Sequence, residues 1–342
     1  MRPGLPVIDV SALIEAGAAT EGSAADQALA DQALADQALA RVSGQLMSAL
    51  DTSGFFYIVG HGIDAQTLNR LLNQQRVFFS LAAHDKALVA IDRDNRGYLA
   101  PGMARMRGAA RHDQKEVFFW GPEWALDHPY QCAGIPLCGV NRWPGQPEGC
   151  RSAVLDYAAA IRIAGTVVLR GIARGLGLAD DFFEHYYSDS LLRGQLIRYP
   201  HTTGGKDDFG VAPHTDFGCI TLLHQQEPGL EVRQRDGRWV SAPPVEGSLV
   251  VNIGDLLARW SDGRLPSNLH RVRNYNDADR YSIAMFHDPN PTAIIAPADM
   301  ARNKRGIPAI SVADYIVERN RGAFSHHGQT KKAATRKRST AA

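Results

Sequence analysis

Two histidines and an aspartate carry the chemistry this sequence offers most clearly: His214 and Asp216 in Pro-His-Thr-Asp, and His270 in Asn-Leu-His-Arg-Val. Two imidazoles and one carboxylate suit a divalent iron that keeps coordination positions open. Such a metal still has room for a cosubstrate and dioxygen, which a closed four-ligand structural site does not. His214 and Asp216 are separated by one residue, so on a single β-strand they would project from the same face. His270 comes 54 positions after Asp216, which calls for a second strand brought alongside by the fold. His-x-Asp alone is a common chance pattern. The chain has 12 histidines, and His61, His201, His224 and His287 compete for the ligand role.

A second pair, Arg280 and Ser282 in Asp-Arg-Tyr-Ser, repeats the spacing and starts ten positions beyond His270. A guanidinium fork and a hydroxyl on one strand face suit a single carboxylate. A buried arginine without a partner is costly, so an anionic ligand is its natural companion; the alternative is a plain surface ion pair. Residues 274–279 (Asn-Tyr-Asn-Asp-Ala-Asp) are rich in turn formers. His270 and Arg280 are therefore expected on the two arms of one hairpin. A metal triad beside a carboxylate clamp is what an iron enzyme using a 2-oxo acid needs.

With these residues in hand, the chain resembles the isopenicillin N synthase-like branch of the non-heme iron(II), 2-oxoglutarate-dependent oxygenases. Leu5-Pro6-Val7-Ile8-Asp9-Val10 is similar to the family's opening strand. The segment from Gly54-Phe55-Phe56 to His61-Gly62-Ile63 matches another landmark, with Gly60 in place of the usual Asn before the histidine. Arg96-Gly97-Tyr98, Asp113-Gln114-Lys115-Glu116, Arg198-Tyr199-Pro200, Pro228-Gly229-Leu230 and Val251-Asn252-Ile253-Gly254-Asp255 follow in the family's order. The resemblance covers nearly the whole chain. It implies iron(II) held by His214, Asp216 and His270, with 2-oxoglutarate and dioxygen as cosubstrates. It implies Arg280, Ser282 and Tyr199 around the 2-oxoglutarate C5 carboxylate. The implied reaction oxidises a C–H bond of a small organic molecule, by hydroxylation first of all, and releases succinate and CO2. No protein residue beyond the metal centre is assigned a catalytic role. For the organic substrate, Arg105, Arg107 and Arg111 are candidates to hold an anion, with a solvated basic loop as the equal alternative. His224 and Phe286 are candidate pocket walls, with core packing as theirs.

The elements that must position these residues are legible in outline. From Leu192 onward, short β-type runs alternate with turn clusters, at 194–199, 219–224, 230–235, 248–253, 271–275 and 281–286. That is the pattern of a sheet sandwich or barrel. The family's double-stranded β-helix (jelly roll), flanked by helices in a mixed α/β (α+β) fold, agrees with it. Three regions are expected: an N-terminal part at 1–150 that covers the pocket, the jelly-roll domain at 151–320, and a disordered basic tail at 321–342. Residues 64–90 read as one helix. Val154, Tyr157, Ala158, Ile161, Ala164, Val168 and Ile172 mark a long amphipathic one, ending near Gly175 or Gly177. Residues 180–187 read as one more. Asp-Gln-Ala-Leu-Ala stands three times in tandem at 26–40. It is strongly helical in composition, yet a five-residue period turns about 140° per repeat, so Leu29, Leu34 and Leu39 share no face.

Composition bounds the rest. At 342 residues and 44% hydrophobic content a sizeable core is expected. Net charge is +1, but five bases and no acid fall at 329–342, leaving 32 basic against 36 acidic residues in the body. Nothing in that body calls for nucleic acid. Cys132, Cys138, Cys150 and Cys219 form no Cys-x-x-Cys pair, so free thiols and a cytoplasmic setting are expected. No membrane span is expected, and the chain is read as a monomer or weak oligomer acting on a small molecule. Three rival readings stay open: a family oxidase that uses no 2-oxoglutarate and holds its substrate carboxylate with Arg280, a zinc hydrolase on the same ligands, and a non-catalytic binding protein.

Overall fold

Apolar residues at alternate positions of the later strands, such as Ile283 and Met285 or Leu222 and Ile220, commit one face of a sheet to a helical layer and free the other for a site. The computed structural model describes residues 4–18, 25–105, 109, 111–201, 209–274, 277–300 and 303–323. The strands are β1 (Val7–Asp9), β2 (Phe55–Val59), β3 (Gly97–Leu99), β4 (Glu116–Trp120), β5 (Leu191–Tyr199) and β6 (Val211–His214). They continue as β7 (Ile220–Gln225), β8 (Leu230–Arg233), β9 (Trp239–Ser241), β10 (Ser248–Ile253), β11 (His270–Val272) and β12 (Arg280–Asp288). Helices are α1 (Ser11–Ala18), α2 (Ala25–Thr52), α3 (Ala65–Ser80), α4 (Ala83–Ala87), α5 (Pro129–Cys132), α6 (Cys150–Leu176), α7 (Asp255–Trp260) and α8 (Val312–Asn320).

Eight strands form one sheet in the order β1-β2-β10-β7-β12-β5-β4-β3, and four form a second in the order β6-β11-β8-β9. In the large sheet β1 runs parallel to β2, and the other strand pairs are antiparallel. Two packed, mainly antiparallel sheets are the expected jelly-roll core. One face of the large sheet packs on α2, α3 and α6 through residues such as Phe56, Ile58, Leu196, Leu222, Val251 and Met285. The other face meets the small sheet through Phe55, Ile197, Tyr199, Val250 and Ala284 against Val211, Val232 and Val272. The strands of 1–150 thus join the same sheet as those of 151–320, so the two regions share one sandwich.

α6 carries the expected apolar stripe and ends where Gly177, at φ 76°, adopts the left-handed conformation that turns the chain out of the helix. It is long and apolar enough to cross a membrane by length and composition, but its buried side packs on the large sheet and on α2 and α3. The expected helix over 64–90 is two: Leu81 and Ala82 are extended, and α4 starts anew. Residues 180–187 make turns and a single 3₁₀ turn at Glu184–Tyr187 in place of an α-helix. The pentapeptide repeat lies in α2, where Leu34 is exposed and Leu39 is buried, as the unmatched period requires. Residues 321–323, expected in the tail, are part of the described fold. Ala323 is buried and its carbonyl accepts the Arg105 amide; 324–342 lie outside the described residues. All four cysteines are free thiols, Cys132 exposed and the others buried.

Candidate active site

His214 ends β6, and β11 begins at His270, its antiparallel partner in the ladder. The two imidazole rings lie 4.2 Å apart centre to centre. Asp216 is not on the strand with His214, as the spacing alone suggested. It stands in the loop after β6, and that loop turns its carboxylate back toward the rings. Asp216 Oδ1 lies 3.9 Å from His214 Nε2 and 3.6 Å from His270 Nε2. One donor atom from each of the three side chains falls within 4.8 Å of the others.

Each group is held for that task. His214 Nδ1–H donates to the Ala212 carbonyl at 2.8 Å and His270 Nδ1–H to that of Asn268 at 3.3 Å, which leaves both Nε2 lone pairs facing Asp216. The Phe55 ring packs edge-on against His270 at 5.3 Å. Asp216 Oδ2 accepts from the Thr221 hydroxyl at 2.6 Å and the Asn252 amide at 2.8 Å, so Oδ1 is left toward the histidines. Burial and the neighbouring His270 keep His214 far below its ordinary pKa. Burial opposes ionisation of Asp216, but the two imidazoles, Asn252 and Thr221 outweigh it and hold the carboxyl below its ordinary value. A charged carboxylate is the state in which Asp216 can ligate a metal. The loop that carries Asp216 is pinned by the Asp255 amide, which donates to the Asp216 carbonyl at 2.7 Å. Gly254 permits this approach, since a Cβ there would sit 2.2 Å from the Gly218 carbonyl oxygen.

Arg280 and Ser282 lie on the pocket-facing side of β12. They are not across a hairpin from His270: β11 belongs to the small sheet and β12 to the large one. Arg280 is fully buried. Its Nη2 donates to Gln225 Oε1 at 2.8 Å and its Nε to the Glu227 carbonyl at 3.3 Å, while its guanidinium lies 4.9 Å over the Tyr199 ring. Burial lowers its pKa, with Tyr199 and Glu227 opposing. Arg280 Nη1 and Ser282 Oγ are buried with no hydrogen-bond partner among the described residues. Two orphaned polar atoms of this kind on one strand face fit a carboxylate ligand.

Two adjoining cavities meet at His214 and Asp216 and share Lys115, Gln195 and Phe286 as walls. One runs toward Tyr199 between the sheets; the other opens toward Phe119, Phe217 and Asn320. Phe286 lines both cavities. His224 lines neither. It shares a strand face with Ile220 and Leu222, toward the helices, and burial beside His61 pulls its pKa down to about 4. His287 likewise points to the helical layer, against Tyr187 at 4.7 Å. His201 is exposed, and His61 is buried with its Nδ1 accepting from the Ile63 amide. Arg105 and Arg111 are exposed and line neither cavity, and Arg107 lies outside the described residues. Thr221, Asn252, Gln225 and Lys115 are site residues that spacing does not single out. The quoted family landmarks around Lys115 and Asn252 pointed at two of them.

Family models match over most of the chain: the 2OG-Fe(II) oxygenase superfamily over residues 188–289, and the "non-haem dioxygenase in morphine synthesis N-terminal" region over residues 5–146. The chain belongs to the 2OG-Fe(II) oxygenase superfamily. It is 32% identical to the 2-oxoglutarate-Fe(II) type oxidoreductase hxnY of Emericella nidulans over 300 residues, 83% of this chain and 84% of that one. It is 34% identical to homoarginine-6-hydroxylase 2-ODD-C23 of Glycine max over 271 residues, 76% of this chain and 81% of that one. Among solved structures, a full-length Neurospora crassa protein in complex with alpha-KG and thymine aligns with a TM-score of 0.75 at 27% identity, covering 92% of this chain and 96% of that one. As a member of this superfamily the protein is a 2-oxoglutarate-dependent dioxygenase, an oxidoreductase whose cofactors are iron(II) and 2-oxoglutarate. The donor set fits such a metal, with two imidazoles and one carboxylate leaving further positions for exogenous ligands.

Proposed function

We propose that this oxygenase, of the isopenicillin N synthase-like branch, hydroxylates a C–H bond of a small organic molecule in the cytoplasm, with His214, Asp216 and His270 holding iron(II) and Arg280 with Ser282 clamping the 2-oxoglutarate C5 carboxylate. The observation that carries the reading is the pair of orphaned buried donors, Arg280 Nη1 and Ser282 Oγ, beside a preassembled triad. The iron, when bound, supplies dioxygen activation coupled to 2-oxoglutarate decarboxylation.

The chain's own residues do the rest. The Ala212 and Asn268 carbonyls fix the histidine tautomers, and Thr221 with Asn252 fixes which oxygen Asp216 presents. Tyr199 and Gln225 hold the Arg280 fork in place. Phe286 and the apolar residues Ile197, Leu223, Val272 and Ala284 keep water from the space between the sheets. Homoarginine is named for three relatives and thymine for one solved structure, and a compact molecule of comparable size suits the second cavity.

The test is substrate-dependent succinate release by anaerobically reconstituted protein, with metal analysis. Zinc in place of iron, or turnover without succinate, sinks this reading in favour of a hydrolase or of a family oxidase that uses Arg280 for its substrate's own carboxylate.

A further inference from the structure

We propose that Lys115 is the binding residue for a carboxylate on the organic substrate, with the Asn320 amide as a second donor, in the cavity beyond the triad. The proposal rests on the iron and 2-oxoglutarate reading and adds to it the chemical class of the substrate. Lys115 is only 6% exposed, on the strand-leading segment before β4, and it lines both cavities. Its ammonium carries three N–H donors and no acceptor. Its ion-pair partner among the described residues, Asp113, stands at 3.6 Å, too far for a normal hydrogen bond. Asp113 Oδ2 has no hydrogen bond among the described residues, while Oδ1 takes the Ala212 amide. A buried ammonium held so loosely is an incomplete site.

Asn320, from the last turn of α8, lines the same cavity at 2% exposure, and its Nδ2 has no partner among the described residues. Arg193 also lines this cavity, but it is committed to Asp288 at 2.6 Å. Among the described residues of the lining, the one carboxylate is Asp216, and it belongs to the triad. The remaining walls include the rings of Phe119, Phe217 and Phe286. Buried donors whose hydrogen bonds are incomplete, with Asp113 at 3.6 Å from Lys115 and outside the lining, set among aromatic rings, suit an apolar body carrying a carboxylate. The cosubstrate's own distal carboxylate has its orphaned donors elsewhere, at Arg280 and Ser282.

The experiment uses the full chain with iron(II) under argon, then air. First, 2-oxoglutarate is titrated by its charge-transfer absorption in wild type and Lys115→Met. Next, succinate release is measured with 3-phenylpropanoate and indole-3-acetate against 3-phenylpropylamine and tryptamine. The expected result is stimulation by carboxylates and not by amines. Lys115→Met should weaken that response about tenfold or more while the 2-oxoglutarate titration moves by less than about threefold. Lys115→Arg should keep part of the response, and Asn320→Asp, which sets a like charge beside the ligand, should weaken it. These two variants also serve if Lys115→Met does not fold. Equal stimulation by amines, or no response to any carboxylate, overturns the proposal. So does a Lys115→Met loss confined to 2-oxoglutarate, which would move Lys115 to the cosubstrate. Failure of wild type to bind 2-oxoglutarate at all would instead overturn the cofactor reading.

Discussion

His214 and His270 are cross-strand partners: the last residue of β6 faces the first of β11, with their rings 4.2 Å apart, and the Asp216 loop closes over them. The pairing makes the site rigid before any metal arrives. Removing one member should therefore empty the centre and leave the fold. We expect His214→Ala, Asp216→Ala and His270→Ala each to abolish turnover and lose stoichiometric iron, with an unchanged circular dichroism spectrum. Near-normal activity with one iron per chain in any of them would remove that residue from the ligand set.

The hydrogen bonds to Asp216 Oδ2 should matter nearly as much. Thr221 and Asn252 decide which oxygen faces the histidines. Loss of a partner of this kind weakens metal binding by roughly 10- to 100-fold. Asn252→Ala should show that loss in an iron-affinity titration and recover turnover at high iron. A turnover defect that excess iron does not repair would mean Asn252 acts otherwise.

Arg280→Leu should raise the 2-oxoglutarate requirement far more than that for the organic substrate. A charged hydrogen bond is worth roughly 1.5–3 kcal/mol and about 1.4 kcal/mol is tenfold, so the change should be on the order of a hundredfold. Arg280→Lys should rescue only partly, because an ammonium lacks the planar fork. Anaerobic titration of 2-oxoglutarate checks both; an unchanged affinity in Arg280→Leu would return the clamp to the substrate.

His287 offers a pH prediction. Burial among helix-side residues takes its pKa down to about 3, and neither ring nitrogen has a hydrogen-bond partner among the described residues. The native state therefore refuses a proton that the unfolded chain accepts below about 6.5. Its contribution is fully present above that pH and is lost as pH falls toward 3. At pH 5.5 the loss should be on the order of 1 kcal/mol. Denaturant unfolding at pH 7.5 and 5.5 should show a smaller acid loss in His287→Leu than in wild type, and an equal loss would assign the effect to other histidines.

Deleting one Asp-Gln-Ala-Leu-Ala copy should leave turnover within a few-fold. The copy nearest Arg41 is docked, since Asp36 pairs with Arg174 at 2.6 Å and Leu39 is buried. Because the copies are identical, removing any one yields the same sequence, and the remaining C-terminal copy keeps those contacts. A rate loss beyond about tenfold, roughly 1.4 kcal/mol, would reveal a function in the repeat.

Residue types and short spacings were enough to name the candidate ligands, the candidate clamp and the β-rich half that carries them. Side-chain chemistry is a property of residue type, and strand alternation is local, so His214, Asp216, His270, Arg280, Ser282 and the wall at Phe286 could be named without coordinates. Which residues meet across space came from the packing of the chain. His270 and Arg280, ten positions apart, fall on different sheets. Asp216 is brought to the histidines by a loop pinned to Asp255, which no strand period encodes. His224 has the right chemistry on the wrong side of β7. The basic residues Arg105 and Arg111 are exposed, while Lys115, which sequence showed only as part of a family landmark, is carried into the cavity by its place before β4. Burial and register across non-neighbouring strands are set by global packing, and a linear pattern of residue types does not contain them.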